Sequence, residues 1–234
     1  MKVKVLVLAF LFMVFGVSGA SAATIELFEW IFNVNGTVSD SLNGDPFPPS
    51  LIQSTFNGQD GLGTLIFRFT NPGSYNFIAF FDHEIDQTIN TFFNEYGSKN
   101  GSPAAGQSWQ IGDPFSKDPG NIYDNVLAGA LGNTNGVPSS APNDVSMALG
   151  WNFALASGEI GTIRLDLNTA PLGGYYLQQT DPESGLAPYT VTFSSGLVVQ
   201  GGGEPPIPEP ATMLLLGSGL VGLAGLGRRK LFKK

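Results

Sequence analysis

The sequence predicts an all-β fold, an antiparallel β-sandwich of jelly-roll type, and three observations carry that expectation. Apolar side chains recur with period two along several short runs, which is the spacing of a strand with one buried face. Turn signals built on Gly and Pro separate these runs, with 31 Gly and 16 Pro in 234 residues. That content leaves little room for long amphipathic helices, and many short strands joined by such turns close best as packed sheets.

In chain order, residues 5–17 (VLVLAFLFMVFGV) form an apolar run of 13 residues behind Lys2 and Lys4. Ala20-Ser21-Ala22 then fits a small-x-small cleavage site, so residues 1–22 read as a signal peptide cut between Ala22 and Ala23 by signal peptidase. A permanent anchor is disfavoured because the run is short for a span. The body that follows, residues 23–200, is long enough for one sizeable core.

Within the body, Leu65, Phe67 and Phe69 alternate, with Arg68 pointing outward. Residues 75–81 (YNFIAFF) are denser, as expected of a strand buried on both faces. Short helical pieces fit 87–95 and 122–131. Residues 144–155 alternate without a break through Val145, Met147, Leu149, Trp151, Phe153 and Leu155. Ile163, Leu165 and Leu167 repeat the pattern, as do Tyr189, Val191 and Phe193. Asn71-Pro72-Gly73, Ser157-Gly158, Pro171 to Gly174 and Asp181 to Gly185 supply turns, and 100–106 and 133–143 read as loops.

Residues 201–207 form a Gly/Pro-rich linker that cannot pack a core. The remainder, 208–234, has three parts: Pro208-Glu209-Pro210, an uncharged run over 211–227, and a basic end. As a helix those 17 residues extend about 25 Å, the lower limit for a membrane span. Arg228, Arg229 and Lys230 act as the cytoplasmic basic anchor by the positive-inside rule, which places the body on the far side of the membrane.

Charge is divided just as sharply. Residues 23–210 hold four Lys or Arg against nineteen Asp or Glu, a formal charge of −15. Such a body repels phosphate backbones, which excludes nucleic acid as a partner. The chain has no Cys, hence neither disulfides nor a thiol nucleophile, and it has one His.

The tail resembles the PEP-CTERM sorting signal of Gram-negative bacteria, also labelled an ice-binding protein C-terminal domain, a label that implies no binding of ice. That resemblance implies that Pro208, Glu209 and Pro210 are the sorting motif read by an exosortase, a membrane protease that removes the tail. It also implies a transient inner-membrane intermediate, then release to the cell surface or into exopolysaccharide. The segments FDHEID (81–86), NTFFNEYG (90–97), QSWQIG (107–112) and DVSMALGW (144–151) are similar to an ectodomain type that recurs ahead of such tails. This second likeness brings no catalytic residues with it.

The most informative local chemistry is Asp82-His83-Glu84-Ile85-Asp86. Carboxylates at i, i+2 and i+4 share one side of an extended chain, and hard oxygens at that spacing suit Ca²⁺, the one candidate cofactor. Asp82, Glu84 and Asp86 are therefore the candidate metal ligands, with solvated surface acids as the competing reading. The loop pattern of an EF-hand is missing, and Asp181-Pro182-Glu183 is a weaker candidate that reads as a turn. His83 reads as a strand-end histidine held by an acid or a backbone carbonyl, against a catalytic alternative. No GxSxG, HExxH or phosphate loop occurs. Trp109, in a polar stretch, is the aromatic expected to be exposed and able to stack on sugar.

The functional expectation is a non-enzymatic surface or matrix protein associated with exopolysaccharide. The alternatives are a carbohydrate-binding sandwich, calcium-assisted or not, and a secreted polysaccharide hydrolase working through paired carboxylates.

Overall fold

The computed structural model describes residues 24–87, 90–116, 120–183 and 188–201. The signal peptide with its Ala22–Ala23 cut, nearly all of the linker, and the whole sorting segment lie outside the described residues. Among the described residues no helix is long and apolar enough to cross a membrane.

Among the described residues eleven strands form two sheets. They are β1 (Ile25–Val34), β2 (Thr37–Asp40), β3 (Leu51–Ser54), β4 (Gly63–Phe69), β5 (Gly73–Ile85), β6 (Tyr96–Asn100), β7 (Gln107–Gly112), β8 (Ser146–Leu155), β9 (Ile160–Asn168), β10 (Tyr176–Asp181) and β11 (Tyr189–Gln200). One sheet has the order β2-β1-β5-β8-β7 and the other β3-β4-β9-β11-β10-β6. Neighbouring strands are antiparallel throughout. The chain passes between sheets after β2, β4, β5, β6 and β8, so long-range pairing rather than local hairpins closes the core.

The alternating residues meet across that core. Phe32 of β1 lies 5.1 Å from Phe67 of β4, and Phe81 of β5 lies 5.1 Å from Phe193 of β11, ring centre to ring centre. Met147, Leu149 and Trp151 join them from β8, with Leu165 and Leu167 from β9. The dense run in β5 is covered on both faces, as its composition requires. Phe77, Ala79 and Phe81 enter the shared core, while Ile78 and Phe80 pack outward under a helix with Ile31, Ile122, Val126 and Ala148.

That helix is α1 (Ile122–Ala128). Asn121 starts it by accepting from the Asp124 N–H at 2.7 Å, and Gly129 ends it at φ +74°, a conformation that costs glycine little. The helix expected over 122–131 is therefore present but shorter. Of the piece expected over 87–95, the described part is helical over three residues and of the 3-10 kind. A 3-10 turn over Phe92–Asn94 stands there, capped by Thr91.

β1 holds an irregularity that breaks its alternation. Leu27 pairs with His83 and Glu29 with Asp82, so Phe28 is an extra residue without a partner and is 43% exposed. The bulge reverses the phase of the strand, turning Trp30 and Phe32 into the core and Glu29 onto the outer face. Trp109 is also corrected. It is only 8% exposed, packed in the core on β7, with the Lys99 ammonium 5.5 Å from its ring centre. Hydrophobic packing between the sheets outweighs the polar neighbours that suggested exposure.

Candidate functional site

The outer face of the five-stranded sheet carries apolar residues beneath α1 and acids beyond it. Along β5 the outward positions run Ile78, Phe80, Asp82, Glu84. Antiparallel pairing sets Asp82 opposite Ser146 of β8 on one side and opposite Glu29 of β1 on the other. Glu84 likewise faces Glu26 of β1, and Asp144 lies two residues upstream of Ser146. Carboxylate oxygens of Asp82, Glu84 and Asp144 fall within 4.8 Å of one another.

These acids are not solvated, which removes the surface reading. Asp82 is 0%, Asp144 1% and Glu84 5% exposed. The Ser146 hydroxyl donates to Asp82 Oδ1 at 3.1 Å. Asp82 Oδ2 and Glu84 Oε2 find no hydrogen-bond partner among the described residues, and the Asp144 oxygens find none beyond the adjacent Val145 N–H. Burial drives the Asp82 carboxyl well above its ordinary range, and the nearby charges of Asp144 and Glu84 add to this. Burial also raises Asp144 to about 7, with Glu84 and Asp113 contributing, and it raises Glu84 against the opposing hydrogen bond from Gln87. Glu29, beside Asp40, reaches about 8. Each shift has the same root: charge removed from water without a cation to meet it.

Asp86 does not join the group. At φ +53° the chain turns, and Asp86 Oδ1 accepts from the Thr24 N–H at 2.5 Å and the Thr24 hydroxyl at 3.2 Å. The i, i+2, i+4 rule requires an extended chain, and β5 ends at Ile85. Asp144 takes the place expected of Asp86. No local signal could have found it, because it reaches the site through strand pairing. Asp181 is a turn hub that accepts from Asn90 Nδ2 at 2.8 Å and from the Glu183 N–H at 2.9 Å.

His83 points to the opposite face, into the interior. It is fully buried, and its Nε2 donates to the Gly61 carbonyl at 3.3 Å. Burial lowers its pKa to about 4, which keeps the ring neutral. Of the two structural partners expected for it, the backbone carbonyl is the one present. Glu95, also fully buried, accepts from the Ile85 N–H and from the Gln179 amide, and burial lifts it to about 9.

Two chemistries suit three closed carboxylates: sharing protons, or holding a bare cation. A glycan segment does not fit where the oxygens have no exposed surface. A sugar-sized opening lies elsewhere, a cleft of about 520 Å³ whose lining includes Gln107, Trp151, Arg164, Asp166, Tyr175 and Ser195. There Trp151 Nε1 donates to the Ser195 hydroxyl at 3.0 Å, and Arg164 grips Asp166 at 2.6 Å.

Residues 206–230 match the PEP-CTERM protein-sorting motif. That match covers Pro208, Glu209 and Pro210 together with Arg228, Arg229 and Lys230. The motif implies processing by an exosortase-type membrane enzyme, and with it an exported protein that passes through the membrane to the surface or the exterior. No curated protein and no solved structure matches the chain.

Proposed function

We propose that the chain is a non-enzymatic component of the cell surface or extracellular matrix, retained in exopolysaccharide after an exosortase-type enzyme removes its tail. The observation that carries this reading is the sorting motif at 206–230. Its geometry of use follows from the sequence. Pro208-Glu209-Pro210 is the stretch the enzyme would read, the basic end would stay on the cytoplasmic side by the positive-inside rule, and the acidic body would lie on the other side. Calcium is its candidate ion.

The test is mass spectrometry and fractionation of the exported protein. A start near Ala23, loss of the segment after the motif, and co-purification with exopolysaccharide are expected. Replacing Pro208-Glu209-Pro210 with alanines should leave full-length chain in the membrane. An intact tail on surface material would make the protein a permanent tail-anchored one instead.

A second reading, carbohydrate binding by the sandwich, is favoured by the cleft whose lining includes half-buried Tyr175 beside Arg164 and Asp166. An aromatic side chain beside a few placed polar groups is how small-ligand clefts are commonly built. Glycan-array binding without turnover supports it, whereas a linear rise of reducing ends would instead make the protein a hydrolase.

A further inference from the structure

We propose that Asp82, Glu84 and Asp144 form a site for one hard divalent cation, Ca²⁺ by size and chemistry, which the folded body takes up outside the cytoplasm. The placement in the export route rests on the sorting reading above; the ion site itself does not.

Three independent features point to a ligand. The first is distance. Two oxygens bound to one Ca²⁺ at about 2.4 Å each can be at most about 4.8 Å apart, and the three carboxylates lie within 4.8 Å of one another. The second is unmet bonding capacity. Asp82 Oδ2 and Glu84 Oε2 have no partner among the described residues, and the two Asp144 oxygens have none beyond the adjacent Val145 N–H. Buried carboxylate oxygens are rarely left so, because the lost solvation has to be replaced. The third is charge. The described cations are Arg68 on β4, Lys99 on β6 and Arg164 on β9, all exposed and all on the other sheet.

Three carboxylates leave a divalent ion with a net charge of −1, and water or backbone carbonyls would complete its shell. Mg²⁺ dehydrates reluctantly and demands tight octahedral geometry, so a closed site built from three carboxylates favours Ca²⁺. The ligands come from the end of β5 and from the segment entering β8, 60 residues apart in sequence between Glu84 and Asp144. The unfolded chain holds no such site, so the ion binds the folded state alone and stabilises it by mass action. Extracellular calcium modules bind at about 10⁻⁴–10⁻³ M Ca²⁺, which sets the range to titrate.

The experiment uses the full chain in mild detergent, stripped with chelator and titrated with CaCl₂ at constant ionic strength, since general screening would otherwise contribute. Calorimetry should show one saturable equivalent. At a hundred times Kd the melting temperature should rise by about 5–10 °C. Asp144→Asn should abolish both responses, whereas Asp86→Asn, which alters the sequence-adjacent acid bonded to Thr24, should retain them. If Asp144→Asn does not fold, the unaltered chain still tests the site: bound Tb³⁺ should be displaced by Ca²⁺ at one equivalent. No displaceable ion, or equal calcium shifts in the parent and in Asp144→Asn, overturns the site. Failure of tail processing with an intact calcium response overturns only the sorting reading.

Discussion

Asp82 and Ser146 stand opposite each other on β5 and β8, and the Ser146 hydroxyl donates to Asp82 Oδ1 at 3.1 Å. Asp82 Oδ2 is left without a hydrogen-bond partner among the described residues, in a group that Glu84 and Asp144 complete. Ser146 is thus a positioning residue for the proposed cation. Supporting hydrogen bonds of this sort are worth about 10–100-fold in metal affinity. Ser146→Ala should therefore raise the half-saturating Ca²⁺ concentration about tenfold in calorimetric titration. An unchanged affinity would mean that Asp82 needs no holding.

Glu95 sets a pH dependence. Its folded pKa of about 9 lies above the ordinary 4.5 because burial disfavours the charge. The folded state binds the proton more tightly than the unfolded chain does, so this contribution is fully present below pH 4.5 and is lost as pH rises through 9. Melting temperature measured in chelator should fall from pH 6 to pH 9. Glu95→Gln, which cannot ionise, should flatten that slope. An equally steep profile in the variant would assign the dependence to other groups.

What was legible in the sequence was local. The alternation of β8 and the two-faced density of β5 follow from side-chain period alone, and both lie where expected. The phase of β1 was not legible, because the bulge at Phe28 exists only in the pairing with β5. The site shows the same division. Asp82 and Glu84 share a face by strand period, whereas Asp144 joins them through the register of β5 on β8. Asp86 dropped out where the strand gave way to a turn. Sheet order, set by contacts between distant strands, left no periodic trace.

Close approach of the two sheets at one edge gives a packing test. A Cβ added at Gly97 of β6 would sit 2.2 Å from Ile111 Cγ2 of β7, well inside contact distance. Overpacking of this kind costs about 1–3 kcal/mol, so Gly97→Ala should lower the melting temperature. Ile111→Ala should lower it too, by opening a cavity. Combined, the two should destabilise by clearly less than their sum, since the new methyl occupies the space vacated. Strict additivity would show that the two residues do not meet.

Trp109 separates stability from sugar binding. Its indole is 8% exposed in the core, its backbone N–H donates to Asn133 Oδ1 at 2.9 Å, and Lys99 covers the ring. A ring so enclosed has no free face to offer a sugar. Trp109→Ala should then act as a large-to-small core substitution, costing about 3–5 kcal/mol, a large share of the roughly 5–15 kcal/mol that holds a domain together. Trp109→Phe keeps an aromatic in the same space and should remain folded. Its retention on exopolysaccharide should equal that of the parent in a sedimentation assay. A folded Trp109→Phe protein that no longer sediments with polysaccharide would return this residue to the surface as a stacking platform.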